Sequence, residues 1–346
     1  MNIGILGCGY ISGVYIENTA YLDNINIIGC ADLNNNRAVE TSVRHGIACY
    51  SVTELLSSPS IDLILNLTPP KAHFESCKEI IKAGKHVYVE KPISISTLHA
   101  EELLSLADKY NVRIGVAPDT FMADPVRTAQ EIIDNGEIGI PLAVNAFMLK
   151  SGPEKWHPDP EFFYEQGSGP MYDMGPYYVT TLVQLLGSIR SVSAASNIIQ
   201  VDRQIETGCK KGTKLTVETP TYISGRMEFA SGIIGTLVTS FDVMSTKLPN
   251  IEIYGSKGTL VIPDPNTFSG EIIIYMEDTK SWENRMYETT RFNGRGMGLT
   301  DMIQAIEENR YHEANGHLGL HVFEVLEGFH QALESKEQYY LKTNIV

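Results

Sequence analysis

The sequence predicts an α/β chain of two domains: an N-terminal, doubly wound parallel-sheet domain, then an α+β domain with a large, mostly antiparallel open sheet. Three observations predict it. Apolar, strand-like runs alternate with helix-forming segments through the first third of the chain, the order of βαβ units. A glycine turn, Gly7-Cys8-Gly9, follows the first of those runs, and from residue 189 to residue 276 β-favouring runs recur with short turns between them. With 346 residues, 43% of them apolar, the chain can bury two cores. The expected division is 1–120 and 121–346, with the C-terminal helices able to pack back on the first domain.

Ile3 to Leu6 reads as a short buried strand that the glycine turn leads into a helix over Tyr10 to Leu22. Gly7 permits a tight turn, Gly9 lets the backbone approach a pyrophosphate, and Ser12 is small where helix and strand lie close. The helix start, Tyr10, Ile11 and Ser12, offers free N–H groups to phosphates. A second run, Ile25 to Ala31, ends on Asp32, where a carboxylate would hold the adenosine ribose hydroxyls of NAD. Leu33 and a polar turn, Asn34 to Asn36, lead to a short helix that ends towards Gly46. Arg37 reaches the adenine ring or a 2′-phosphate, or is simply an exposed first-turn arginine. Because Asp32 repels a 2′-phosphate, NAD(H) is expected ahead of NADP(H).

Ile61 to Leu67 is the next buried strand, and Thr68-Pro69-Pro70 continues neither a strand nor a helix. Ligands of open parallel sheets sit at the carboxyl ends of strands, so Thr68, Pro69, Pro70 and His73 are candidates for lining the nicotinamide half of the cofactor. His73 reads equally as a surface histidine at a helix start. A helix over Lys71 to Gly84 and a strand over His86 to Val89 lead to Glu90-Lys91-Pro92. Lys91, at a strand end, is placed to hold a substrate hydroxyl, or is simply a solvated lysine before a proline turn. A helix (Thr97 to Tyr110) and a strand (Val112 to Ala117), the fifth such run, complete a sheet expected to have six strands.

Gly7-x-Gly9-x-x-Ser12, Asp32, Asn66-x-Thr68-Pro69-Pro70-x-x-His73 and Glu90-Lys91-Pro92, in this order and spacing, resemble the Gfo/Idh/MocA oxidoreductases, named for glucose–fructose oxidoreductase and inositol 2-dehydrogenase. The Glu-Lys-Pro step is the most specific of these, and the resemblance runs to about residue 260. It implies an N-terminal Rossmann domain, with Glu90 and Lys91 beside the cofactor. Asp119 and Phe121 lie on the crossover out of that domain and are expected near the substrate. A helix over Val126 to Asn135 and the segment Gly136 to Leu142 match the family's entry into the second domain, whose first strand is Leu142 to Leu149.

Asp173 and Tyr177 are four apart at the start of a helix running to Leu186, so they share a face. Read alone, they are a helix N-terminal carboxylate and a half-buried aromatic. In the family, this position carries an Asp followed four residues later by a catalytic His or, in some branches, Tyr. Tyr177 therefore resembles the glucose–fructose oxidoreductase and dihydrodiol dehydrogenase branches. A phenol serves as general acid/base only if nearby positive charge lowers its pKa from ~10, and Lys91 and the nicotinamide are the expected sources. Trp156 and His157 read as a lid over a sugar-like ligand or as structural aromatics of a proline-rich loop.

Seven further runs read as strands of the second domain: Ser191 to Ile199, Leu215 to Glu218, Tyr222 to Phe229, Gly232 to Phe241, Asn250 to Tyr254, Gly258 to Ile262 and Glu271 to Met276. Helices over Gly298 to Asn309 and His317 to Glu334 and a strand over Gln338 to Leu341 close the chain. The family forms dimers through the exposed face of this sheet, which implies a homodimer or homotetramer.

The formal charge of −15 argues against nucleic acid or an anionic membrane as partner. No stretch is apolar enough to span a bilayer and no basic, cleavable leader opens the chain, so a soluble cytoplasmic protein is expected. Five scattered cysteines are expected to be reduced and buried. His317, His321 and Glu324 imitate a metal site on one helical face, yet no metal is expected. The resemblance implies an NAD(P)-dependent oxidoreductase that moves hydride between nicotinamide and a secondary hydroxyl or ketone of a sugar, polyol or related cyclic compound. Its rivals are an NAD-dependent glycoside hydrolase on the same fold and a non-catalytic NAD-responsive regulator. Retention of Lys91, Asp173 and Tyr177 together weighs against the regulator.

Overall fold

The computed structural model describes residues 1–19, 21–22, 25–289 and 292–345. The chain divides into two compact units, Met1–Met122 with Thr289–Phe323, and Ala123–Glu288 with Glu324–Val346.

The first unit opens with β1 (Asn2–Leu6), α1 (Tyr10–Thr19), β2 (Asn26–Ala31), α2 (Asn35–His45), β3 (Ala48–Cys49), α3 (Val52–Ser57), β4 (Leu63–Asn66), α4 (His73–Lys82), β5 (His86–Val89), α5 (Thr97–Tyr110) and β6 (Ile114–Val116). Its strands form one parallel sheet in the order β3-β2-β1-β4-β5-β6. The order reverses between β1 and β4, so the turns after β1, β4 and β5 lie side by side at one edge. The apolar strands are buried on both faces, as a parallel sheet requires.

Local chemistry sets the helix ends. The Asn34 side chain caps α2, whose last turn closes on Gly46 at φ 69, and Ser51 and Glu54 form a reciprocal capping box on α3. The helix expected over Lys71 to Gly84 begins instead as a 3₁₀ turn, Pro70–Ala72, closed by the Ala72 amide on the Pro69 carbonyl at 2.8 Å. The helix expected to reach Leu22 runs as α1 to Thr19, and beyond residue 20, which lies outside the described residues, Tyr21 and Leu22 are not helical. Cys8, Cys30 and Cys77 are buried, but Cys49 and Cys209 are exposed, which corrects the expectation of five buried thiols. Cys49 lies on the short edge strand β3, which has a neighbouring strand, β2, on one side only.

The second unit contains α6 (Asp124–Asp134), β7 (Pro141–Leu149), α7 (Pro170–Leu186), β8 (Ile189–Asn197), β9 (Arg203–Gln204), β10 (Lys214–Leu215), β11 (Tyr222–Phe229), β12 (Ile234–Ser240), β13 (Ile251–Gly255), β14 (Gly258–Ile262), β15 (Ile272–Met276) and β16 (Ser281–Arg285). Then come α8 (Met297–Glu307) in the first unit, α9 (Gly316–Ser335), which runs through the division between the units, and β17 (Tyr339–Tyr340). Nine strands make one sheet in the order β16-β15-β14-β13-β7-β12-β11-β8-β17, with β9 and β10 as a separate ribbon. Every pair in the nine-stranded sheet is antiparallel except β7 with β12. That pair results from inserting the first strand of the unit into the middle of the later hairpins. Tyr178 ties α7 to the sheet, donating to the Phe147 carbonyl at 3.2 Å and accepting from the Asn250 amide at 2.8 Å.

Glu324 of α9 anchors the tail: it accepts the Tyr339 hydroxyl at 3.1 Å and the amides of Lys342 and Thr343 at 2.8 and 2.9 Å. Its carboxylate is thus spent on hydrogen bonds, and the described residues hold no metal-binding group of three His, Cys, Asp or Glu. Among them no helix is long and apolar enough to cross a membrane.

His330 of α9 stacks on Tyr172 with ring centroids 4.4 Å apart, and burial pushes its pKa from 6.5 down to about 4. A histidine lowered in the fold stabilises above its unfolded value, and that contribution is lost as pH falls from 6.5 towards 4. The His330→Phe variant keeps the ring without the titration. Between pH 7 and pH 4 it should lose less stability than the wild type, by about 2 kcal/mol, in urea unfolding followed by circular dichroism. Equal losses would show that His330 is not the group being protonated.

Candidate active site

The turn after β1 is shaped by two glycines with different duties. Gly7 has φ +101, and a Cβ there would stand 2.7 Å from the Leu67 carbonyl, so only glycine lets this turn press against the end of β4. Gly9 is exposed, and nothing lies within 4 Å of the place its Cβ would take. Ser12, buried beneath, donates its hydroxyl to the Gly9 carbonyl at 2.6 Å and closes the first turn of α1. Tyr10 is exposed and Ile11 half-buried in that turn, which carries no acidic residue.

Asp32 ties this turn to the next one. Its Oδ2 accepts the Cys8 amide at 2.8 Å and its Oδ1 the Asn34 amide at 2.7 Å. Each oxygen keeps lone-pair capacity for a hydroxyl donor. Leu33 is exposed beside it, and Arg37 is exposed in the first turn of α2. The Ser12 amide, expected free, donates to the Gly9 carbonyl at 3.2 Å; the open space over Gly9, the helix start at Tyr10 and Ile11 and a carboxylate at the end of β2 fit a dinucleotide's pyrophosphate and ribose.

At the end of β4, buried Asn66 holds the following turn: its Oδ1 accepts the Thr68 hydroxyl at 2.8 Å, and its amide donates to Ser76 at 2.7 Å. Pro69 and Pro70 are exposed and Thr68 is half-buried. His73 departs from both readings of the sequence. It is 0% exposed, with Nε2 2.7 Å from the Thr68 carbonyl and Nδ1 2.6 Å from the Pro92 carbonyl, so it is neither on the surface nor open to a ligand. The proline turn folds the start of α4 under the strand ends and buries the ring.

After β5, Glu90 folds back on its own turn. Oε1 accepts the Tyr15 hydroxyl at 3.0 Å and Oε2 the Lys91 amide at 3.1 Å. Lys91 and Pro92 are half-buried. Asp119 and Phe121, expected near the substrate, are both buried. Asp119 Oδ2 accepts the amides of Gly296 and Gly298 at 2.7 and 3.2 Å, so it caps α8, and burial raises its pKa.

In the second unit, Asp173 is half-buried in the first turn of α7 and Tyr177, one turn on, is buried. Trp156 is 62% exposed, and His157 packs edge-on against Trp156, Phe162 and Phe163. Beneath them lies a buried ionic cluster. Arg203 donates to Glu154 at 2.7 Å, to Tyr164 at 3.2 Å and to Asp242, while the Tyr164 hydroxyl donates to Glu154. The cluster gives no sign in the sequence, because its four members are spread over 89 positions without a repeat.

Two family models match consecutive parts of the chain: the oxidoreductase family's NAD-binding Rossmann fold over residues 1–117, and the GFO/IDH/MocA C-terminal domain over residues 126–261. The chain belongs to the GFO/IDH/MocA oxidoreductase family. A myo-inositol 2-dehydrogenase of Thermotoga maritima is 24% identical over 263 residues, 75% of this chain and 74% of that one. An NAD-binding oxidoreductase of Klebsiella pneumoniae superposes with a TM-score of 0.83 at 22% identity, over 99% of this chain and all of that one. A levoglucosan dehydrogenase solved with NADH gives 0.81 at 19% identity, covering 99% of both chains. This GFO/IDH/MocA protein is therefore an NAD-binding oxidoreductase.

The two glycines make separable predictions. Gly9→Val should fold with an unchanged melting temperature yet bind NADH at least ~100-fold more weakly, since its side chain fills only the open space. Gly7→Val should fail to fold stably, because backbone atoms block its Cβ. Calorimetry and NADH fluorescence titration of both variants check this; undiminished NADH affinity in Gly9→Val would remove that residue from the cofactor site.

Proposed function

We propose that the protein is an NAD-dependent dehydrogenase acting on a secondary hydroxyl, or in reverse a ketone, of a sugar, polyol or related cyclic compound. The observation that carries the reading is Lys91, on a turn at the carboxyl end of β5, in the same row of strand ends as Gly9 and Asp32. When bound, NAD supplies the nicotinamide C4 that accepts or returns the hydride. In oxidation the carbinol carbon gives up a hydride and its oxygen a proton. Lys91, as the neutral amine, takes that proton, and as the ammonium returns it in reduction. Tyr177 is the second candidate for acid/base work, and Asp173 orients the hydroxyl. Thr68, Pro69 and Pro70 line the nicotinamide half, and Tyr10, Ile11, Leu33 and Arg37 flank the phosphates and adenosine. Trp156 and His157 cover a sugar-like ligand. The Asp32 carboxylate favours ribose hydroxyls over a 2′-phosphate, hence NADH over NADPH. The relatives' names, an inositol and a levoglucosan dehydrogenase, support the substrate class.

Ile234 on β12 and Trp282 on β16 stand exposed on one face of the large sheet, in a single cross-strand row. We place a homo-oligomer contact on that sheet, where a second copy would cover this apolar surface. Light scattering should read a dimer or tetramer, and a monomer at micromolar concentration rejects the contact.

NADH titration followed by a panel of sugars and polyols tests the reaction. NADH should bind more tightly than NADPH, and one or more panel members should reduce NAD. Lys91→Ala and Tyr177→Phe should each lower kcat by roughly 10²–10⁴-fold while NADH still binds. Full turnover in both variants would remove the proposed roles, release of free sugar without net NADH would indicate glycoside hydrolysis, and binding without turnover would indicate a regulator.

A further inference from the structure

Lys91 is the middle residue of a turn whose two neighbours are gripped by fully buried side chains. On one side, Glu90 accepts the Tyr15 hydroxyl at 3.0 Å through Oε1 and the Lys91 amide at 3.1 Å through Oε2. On the other side, the Pro92 carbonyl lies 2.6 Å from Nδ1 of His73, whose Nε2 is 2.7 Å from the Thr68 carbonyl. Tyr15 comes from α1 and His73 from the start of α4, and both are 0% exposed.

The chemistry of the two grips differs. Burial, then the Glu90 charge, pushes the Tyr15 phenol well above its ordinary pKa, so it stays a donor. His73 faces two carbonyl oxygens, which only accept, and a neutral imidazole has one N–H to give. Burial, the largest influence, lowers its pKa and the Lys91 ammonium works the same way, while the two carbonyls and Glu90 oppose them. A neutral ring donates its one N–H to one of these carbonyls and a protonated ring donates to both; in either form the ring lies between the two turns, within hydrogen-bond distance of each.

We propose that Tyr15 and His73 are positioning residues for Lys91, fixing the Glu90-Lys91-Pro92 turn from both ends and tying it to the dinucleotide helix and to the Thr68 turn. The inference rests on the acid/base role given to Lys91 above. A lysine side chain is long and flexible, so where its amine stands depends on how firmly the backbone beneath it is held. Misplacement of a reacting group by about 1 Å can cost about 100-fold in rate.

Tyr15→Phe removes one oxygen and leaves the ring in place. His73→Phe removes both ring nitrogens, and His73→Gln keeps an amide donor. Amide hydrogen–deuterium exchange is expected to speed up about tenfold at Lys91 in Tyr15→Phe and in His73→Phe, with the amides of β1 and β4 unchanged. With the best panel substrate, kcat should fall about tenfold in Tyr15→Phe and further in His73→Phe, with KM and the NADH Kd within about twofold of wild type and His73→Gln partly restored. In a Lys91→Ala background, Tyr15→Phe should cost nothing more, which a merely structural residue would not show. Unchanged exchange at Lys91 in both variants overturns the proposal, as does faster exchange with kcat intact. A wild type that binds NADH but turns nothing over counts against the dehydrogenase reading alone, because exchange still decides whether the two residues hold the turn.

Discussion

A single backbone contact organises the cofactor-facing edge of the first unit: Gly7 lies so close to the end of β4 that a methyl group would meet the Leu67 carbonyl at 2.7 Å. That contact sets the depth of the turn after β1 relative to the turn after β4. From there a chain of hydrogen bonds runs along the edge. Asp32 joins the glycine turn to the start of α2, Asn66 holds Thr68, and His73 spans from the Thr68 carbonyl to the Pro92 carbonyl. Parallel strands leave their terminal carbonyls and amides without ladder partners, and here buried side chains supply those partners. The edge that offers donors to a ligand is thus stiffened from beneath.

In the second unit an irregular loop carries the exposed aromatic residues, and a buried ionic cluster takes the place of a regular scaffold. The segment from Ser151 to Tyr164 has only two short 3₁₀ turns of its own. Arg203 reaches into it from β9 and meets Glu154 and Tyr164, then Asp242 beyond the end of β12. Burial and the hydrogen bond to Glu154 raise the pKa of the Tyr164 phenol, which donates to Glu154 and does not add a third negative charge. Two carboxylates around one guanidinium gain little net stability over an apolar core, because desolvation offsets most of their attraction. Their directional bonds do fix which loop atoms meet which strand, and so where Trp156 and His157 stand.

The sequence makes the local features legible and hides those built from distant partners. The glycine turn, the run ending on Asp32 and the helix Thr97–Tyr110 can be read directly, because apolar periodicity, caps and small residues act within a few positions. The edge strand β16, Ser-Trp-Glu-Asn-Arg, escapes such a reading: it lacks alternation, as an exposed edge often does. Likewise the parallel pairing of β7 with β12 joins segments some 90 residues apart, and only the packed sheet selects it. The site shows the same limit. Lys91 can be picked out by its place at a strand end, but the Tyr15–Glu90 bond spans 75 positions and the Asp119 cap on α8 spans 177. His73 sits in a legible motif, and its burial follows from tertiary folding of the proline turn.

Charge raises a question that the geometry answers. The protein carries −15, and a dinucleotide is an anion, so the long-range field opposes binding. What remains favourable acts at contact range. The first turn of α1 has no acidic side chain, the space over Gly9 is open, and the Asp32 carboxylate already accepts two backbone N–H groups. Those bonds spread its charge and fix its direction, and the lone pairs they leave suit a hydroxyl donor better than a phosphate. Recognition then depends on placed donors and acceptors rather than on net attraction. Such a site works only while its turns keep their geometry, which is why the buried struts beneath Thr68 and Lys91 bear on function as much as on stability.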